Sequence, residues 1–287
     1  MIELGILLSL LCALGTNVAF LCKHRGAVAA PTVRFSHPWQ STVALFRSRW
    51  WAIGMGIAVL AWTLHVAALA LAPLTIVQLV ISGGLVLLAW PAERWFGFEL
   101  GRREWVGLGL SATGLALLAV TAGGGGGSHS SYSVAPMLAF EAGLLALGAL
   151  LLLSGTGDRV SARHGSMLAA ASGILIGVSD VALKALAGTV PSDLLSLLSP
   201  WTVSAILASV LAFFAMARGL QVGDAIPVIA LSSIAANTTA ILGGILVFGD
   251  PMGSGTVEVV ARSLAFAAVI AAAALMPGPL RAARVAR

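Results

Sequence analysis

Residues 49–94 read RWWAIGMGIAVLAWTLHVAALALAPLTIVQLVISGGLVLLAWPAER, and no Asp, Glu, Lys or Arg stands between Arg49 and Glu93. A helix rises about 1.5 Å per residue, so the apolar run 50–92 would reach about 65 Å, twice the roughly 30 Å of a bilayer's hydrocarbon core. Pro73, with no amide hydrogen to give, sits where a helical hairpin should turn, dividing the run into spans 50–72 and 74–92. Two adjacent crossings joined by a tight turn set the fold class: an all-α polytopic membrane protein.

The rest of the chain extends the pattern. Hydrophobic residues make up 59% of the 287 positions and charged residues 9%, where a soluble domain carries about a quarter charged. Further apolar runs cover 2–22, 104–121, 134–154, 166–187, 201–217, 225–248 and 256–276, giving about nine spans. The stretch 201–248 divides at Arg218, Gln221, Gly223 and Asp224, and Asp224 is placed to cap the helix after it. Cys12 and Cys22 are too far apart along one helix to bridge, so no disulfide is expected. Ala27-Val28-Ala29 resembles a signal-cleavage site, but the basic cluster Lys23-His24-Arg25 follows the apolar run, the wrong polarity for a cleaved secretory leader.

The basic residues test the number of crossings. One set of loops holds Lys23, Arg25, Arg34, Arg47 and Arg49, then Arg94, Arg102 and Arg103, then Arg159 and Arg163, then Arg218, with Arg281, Arg284 and Arg287 in the tail. That is 14 of the 16 Lys and Arg residues; Lys184 and Arg262 lie within spans and the opposite loops hold none. The positive-inside rule makes that set cytoplasmic, with the N-terminus outside and the C-terminus inside; eight or ten spans would mix the two sets. The net charge of +5 therefore reads as membrane orientation and not as a nucleic-acid surface. Within residues 34–49, Trp39, Val43 and Phe46 recur at i, i+4, i+7, which fits either a short helix on the cytoplasmic leaflet or an irregular loop. Gly123 to Gly127 form an external flexible linker; no Gly-Lys-Ser/Thr follows, so it is no phosphate loop.

A shift of 151 positions lays Trp50 on Trp201, Val59-Leu60-Ala61 on Val210-Leu211-Ala212, Leu69 on Leu220 and Val77 on Val228. At a slightly different offset Lys23 falls on Lys184. Spans 1–4 then match spans 6–9, five crossings apart, so the copies point in opposite directions, as in transporters whose site lies between inverted repeats. The expected organisation is a first repeat over 1–121 with a cytoplasmic loop at 23–49, a Gly-rich linker and extra span over 122–165, and a second repeat over 166–287.

Ala68-Leu-Ala-Leu-Ala-Pro73-Leu-Thr-Ile-Val77, Glu93, Trp105-Val-Gly107-Leu-Gly-Leu and Gly114-Leu-Ala-Leu-Leu carry a resemblance, with Gly219-Leu-Gln-Val-Gly-Asp224-Ala-Ile-Pro227-Val and Phe248-Gly-Asp250-Pro251 in the second copy. These stretches resemble the drug/metabolite transporter (EamA-like) superfamily, and Gly177-Val-Ser-Asp180-Val-Ala-Leu-Lys184 looks like the opening helix of its second half. The usual layout has ten spans; here the second helix of the first half is replaced by 23–49 and a span at 134–154 is added. That arrangement is most similar to the nine-span NIPA-type branch, which includes proposed magnesium transporters. The resemblance implies a transport role without fixing a substrate.

Ionisable groups inside a bilayer are expensive and mark either a pathway or a paired structural site. Asp180 and Lys184, at i and i+4 on span 6, either neutralise each other or place Asp180 on a pathway with Lys184 nearer the outer mouth. Glu258 and Arg262 repeat the spacing on span 9 and read as structural. Glu141 lies about 10 Å into span 5 with no basic neighbour on its helix, so it should be protonated or partnered from elsewhere, as a proton- or cation-linked group would be. Asn17, His65, Gln78 and Asn237 sit mid-span on spans 1, 2, 3 and 8, which by the resemblance correspond to cavity-lining helices. Interhelical hydrogen bonding is the alternative for each. One His without a second ligand is not a metal site.

The reading is a secondary transporter of a small solute or metabolite working by alternating access. A divalent-cation carrier is the nearest alternative, and a non-transporting membrane scaffold or accessory subunit the next. No nucleotide-binding motif, His-Glu-x-x-His or Gly-x-Ser-x-Gly is present, so neither an ATPase nor an intramembrane enzyme is expected, and no cofactor. The expected partners are the substrate and the bilayer, with a homodimer left open. An Ala-rich, Arg-over-Lys composition suits the cytoplasmic (inner) membrane of a bacterium with G+C-rich DNA.

Overall fold

The computed structural model describes residues 2–71, 80–81, 84–97, 100–121, 132–154, 162–189, 198–249 and 255–275. Pro73, Gln78, the 123–127 linker, Arg159, Asp250-Pro251 and the arginines of the tail lie outside the described residues. The helices are α1 (Ile2–Ala29), α2 (Pro38–Arg47), α3 (Arg49–Leu71), a 3-10 segment (Gly84–Leu88) running into α4 (Ala89–Phe96), α5 (Arg102–Thr121), α6 (Val134–Ser154), α7 (Ala162–Thr189), α8 (Pro200–Val222), α9 (Ala225–Phe248) and α10 (Thr256–Leu275). No strand occurs among the described residues. Among the described residues, five helical stretches are long and apolar enough to cross a membrane: Glu3–Ala29, Val134–Leu153, His164–Leu186, Pro200–Val222 and Ala225–Phe248. A sixth is counted if the bent pair α2–α3 is one span. The protein is an all-α polytopic membrane protein.

Several helices outrun their apolar stretch. Residues 23–29, expected in a loop, continue α1 through Lys23, His24 and Arg25. Residues 218–222 likewise continue α8. Long basic side chains keep their stems on apolar surface and their heads at the interface, so a charge near a helix end does not stop the helix. Lys23 does this with its Nζ 4.2 Å over the Phe20 ring, and Arg25 with its guanidinium 4.3 Å over Trp50. The segment around Trp39, Val43 and Phe46 is a helix, α2, bent 92° from Arg49–His65. Asp224 occupies the N-cap of α9, but its side chain makes no capping hydrogen bond; its backbone carbonyl accepts from Val228 N–H at 3.1 Å.

Contacts fix the helix directions. Gly15 approaches Ala61 while Gly26 approaches Trp51, so α1 and α3 are antiparallel. Gly165 meets Gly223 and the Ser172 hydroxyl donates to the Ala212 carbonyl (3.0 Å), so α7 and α8 are antiparallel. Gly173 packs on Ser232 and Ala235, and Gly177 on Thr239, so α7 and α9 run parallel. These seams are rich in Gly, Ala and Ser because, without a hydrophobic force between helices in lipid, close backbone approach supplies the attraction. Exposed Val203, Ile206, Leu207 and Val210 on α8, and Val59, Leu60 and Trp62 on α3, present apolar faces where lipid tails would lie.

The ends of the bundle differ. At one end the Gln221 amide of α8 donates to the carbonyls of Ala27 (2.9 Å) and Pro31 (3.0 Å) and accepts from Val33 N–H (2.9 Å). Trp51 packs edge-on against Phe213, and Phe35 against Phe214. This end gathers Lys23, Arg25, Arg34, Arg47, Arg49, Arg94 and Arg218. Since the C-terminal ends of α1 and α8 meet here, these helices run parallel and α7 runs opposite to α1. At the far end, Trp201 donates through Nε1 to the Tyr132 hydroxyl (2.6 Å), and the Tyr132 ring stands edge-on to Phe248.

Two pairs of helix ends match each other. The limits of α3 and α8 are 151 positions apart at both ends. Gly97 and Gly249 close α4 and α9 in the same left-handed conformation (φ 68°), each donating its N–H to the carbonyl five residues back.

Candidate functional site

The polar residues expected inside the membrane have separate surroundings. Asn17 on α1 is buried and its side-chain amide donates to the Gly84 carbonyl at 2.9 Å. That bond ties α1 to the first residue of the 3-10 segment. Asn237 on α9 donates to the Ser233 carbonyl one turn back at 2.8 Å and is half-buried. Both amides therefore have structural work on the donor side. His65 on α3 is half-buried, and its Nδ1 is shielded with no hydrogen-bond partner. Gln78 lies outside the described residues.

Asp180 is exposed although Gly177, Val178, Ser179, Val181 and Ala182 around it are buried. One turn on, Lys184 sets its Nζ 4.3 Å over the Phe248 ring of α9, a contact in which the ring quadrupole attracts the ammonium. Beside this, the Ser179 and Ser209 hydroxyls share a 2.9 Å hydrogen bond between α7 and α8.

Glu141 is the most enclosed acid among the described residues, at 3% exposure on α6. Its partner comes from another helix: the Ser204 hydroxyl of α8 donates to Oε2. Oε1 is buried with no partner. Sequence reading had no means of finding Ser204, which stands 63 positions away with no motif around it. Gln221, visible in the sequence only as a polar interruption, is the residue that holds the turn after α1.

Chemically, the interior offers a carboxyl oxygen at Glu141, an exposed carboxyl at Asp180 and an imidazole nitrogen at His65, each with unused capacity. No three His, Cys, Asp or Glu side chains among the described residues come close enough to hold a metal ion together. A dehydrated cation in a protein cage would want several such oxygens, whereas magnesium keeps most of its water and needs only one or two carboxylates.

At the basic end, burial and, secondarily, the negative charge of Glu104 on α5 push the Asp224 carboxyl above its ordinary pKa.

One comparison with known proteins spans most of the chain. It is 26% identical over 262 residues to the probable magnesium transporter NIPA9 of Arabidopsis thaliana, covering 86% of this chain and 74% of that protein. No family model and no solved structure matches. The likeness runs through both the α1–α5 region and the α6–α10 region, since neither alone could supply the covered length.

Proposed function

We propose that the chain is a membrane transporter that moves a divalent cation of the magnesium type. The observation that carries this reading is the likeness, over 86% of the chain, to a probable magnesium transporter. Glu141, buried with one free oxygen, and the exposed Asp180 are the oxygen ligands offered to a partly hydrated cation. Asn17, His65, Gln78 and Asn237 line the route in this proposal.

The architecture proposed is two inverted repeats, residues 1–121 and 166–287, around the linker and extra helix at 122–165, in the layout of the nine-span branch of the drug/metabolite transporters. The opposed directions of α1 and α7, the 151-residue spacing of α3 and α8 and the paired Gly97 and Gly249 ends support it. The basic end faces the cytoplasm, with the N-terminus outside and the protein in a bacterial inner membrane. A reporter fused after Gly127 is expected to read periplasmic and one after Arg163 cytoplasmic; the reverse pattern overturns the orientation.

The small-solute reading, which the residues alone favour, stands second, and Lys184 is the observation behind it. A fixed ammonium one turn from Asp180 repels a cation and would pair with an anionic metabolite group. Purified protein in liposomes containing a magnesium-sensitive dye decides between them. Saturable, protein-dependent magnesium entry supports the proposal. No flux of magnesium together with saturable flux of a metabolite selects the second reading, and no flux of any solute leaves a scaffold.

A further inference from the structure

We propose that α2 and the turn leading into it form a seat for the headgroup of an anionic phospholipid. The argument begins with direction. The 92° bend between α2 and α3 lays α2 across the bundle at its basic end, parallel to the membrane plane if α3 crosses it. Ser41 and Leu45 bury one side of α2 against the bundle. The Ser41 hydroxyl pins the turn by accepting from Arg34 N–H at 3.0 Å and donating back to the Arg34 carbonyl at 3.2 Å. The other side presents Trp39, 78% exposed, and Phe46, 46% exposed, seven positions apart and hence on one face. Those rings project from the bundle at headgroup depth, where tryptophan is favoured.

Charge then selects the occupant. Between Glu3 and Glu93 the chain contains no acidic residue, while Arg34, Arg47 and Arg49 are all exposed. None of the three forms an ion pair among the described residues. Between the end of α1 and α2 lies a cavity of about 240 Å³ lined by Ala29, Ala30, Pro31, Ala44, Arg47 and Ser48. Its one charged lining residue is Arg47, with Ser48 next to it in the chain. An arginine and a serine among the residues of an otherwise apolar lining, beside exposed aromatic rings on the same short helix, suit a phosphodiester whose acyl chains continue into the bilayer.

Native mass spectrometry of the full-length protein, titrated with phosphatidylglycerol or phosphatidylcholine, tests this. The wild type should hold phosphatidylglycerol in preference, and Arg47→Gln should weaken it on the order of five-fold, with Arg34→Gln/Arg47→Gln weaker still. Arg102→Gln/Arg103→Gln, changing exposed arginines at the start of α5, should leave the preference unchanged. Equal retention of the two lipids, no effect of Arg47→Gln, or an equal loss in the Arg102/Arg103 variant overturns the proposal. Displacement of the lipid by glycerol phosphate at similar concentration would also overturn it, reassigning the recess to a free anion. Circular dichroism confirms that each variant keeps its helices.

Discussion

α1 and α7 are each 28 residues long, and a register of 161 positions lays Lys184 on Lys23 and Asp180 on Ala19. The same register places Ser172 on Leu11 and Ser179 on Val18. The α7–α8 seam thus contains interhelical hydroxyl bonds at both serines, while the α1–α3 seam is closed by Ala19, Gly54 and Gly26 packing against backbone. Helices of matching length and antiparallel partnership have been given different interiors. The second pair is joined by hydroxyl groups where the first is not, and the enclosed acid Glu141 also bonds to α8, a member of the second pair. The difference is one of seam chemistry: hydroxyl bonds join α7 to α8, where close backbone packing joins α1 to α3.

The strongest way to break this comparison is to make the halves alike. Ala19→Asp puts a carboxylate where Ala19 is 1% exposed and tight against Gly54, so the variant should fail to accumulate as folded protein. Asp180→Asn should assemble normally and lower flux. Normal yield of Ala19→Asp by size-exclusion chromatography would show that the first seam is not closed.

A smaller effect is expected from packing alone. A Cβ at Gly173 would strike the Ser232 carbonyl and come within 2.6 Å of the Ala235 Cβ, whereas one at Gly15 would sit 3.4 Å from the Ala61 Cβ. Gly173→Ala should therefore cost about 3 kcal/mol and Gly15→Ala less than about 1 kcal/mol. Thermal midpoints in detergent measure the pair, and equal shifts would contradict the seams as described.

Smaller again is the contribution of Ser204. Ser204→Ala strips the Glu141 carboxyl of its protein partner, costing about 1–3 kcal/mol, while Glu141→Gln keeps a polar group in place. Flux should fall about ten-fold in Glu141→Gln with its thermal midpoint near wild type. Unchanged flux would move Glu141 to the structural residues.

The least effect belongs to Asp224. Because its carboxyl titrates above the ordinary range, the folded state holds its proton to higher pH than the unfolded chain does. The associated stability is present at pH below the unfolded carboxyl pKa and is lost as pH rises through the folded value. Asp224→Asn should flatten that part of the stability–pH profile and slightly raise the midpoint at neutral pH. A profile identical to wild type would remove Glu104 and burial as the cause.

What the residues disclosed was the material of each crossing. The runs 134–154 and 225–248 coincide with α6 and α9 because an unbroken apolar stretch bounded by loop residues has only helix available to it in lipid. The ends of α1 and α8 were not legible, since hydropathy stops at the first Lys or Arg while the hydrogen-bond ladder continues. Position on a span marked Glu141, but its bond to Ser204 depends on how α6 packs against α8, which no local pattern encodes. Asn17 was visible as a mid-span amide; that Gly84 would receive it was not.

The Gln221 amide holds the stretch just after the first crossing, yet it is made nearly 190 residues later. At about 5–20 residues per second of ribosomal synthesis, the exit of α1 waits about 10–40 s for the side chain that fastens it. Through that interval the Pro31 carbonyl and the Val33 N–H, which Gln221 later serves, must be met by water or by the insertion machinery. The turn after α1 is thus completed only once α8 has been made, and a slow codon before residue 221 would lengthen its exposure.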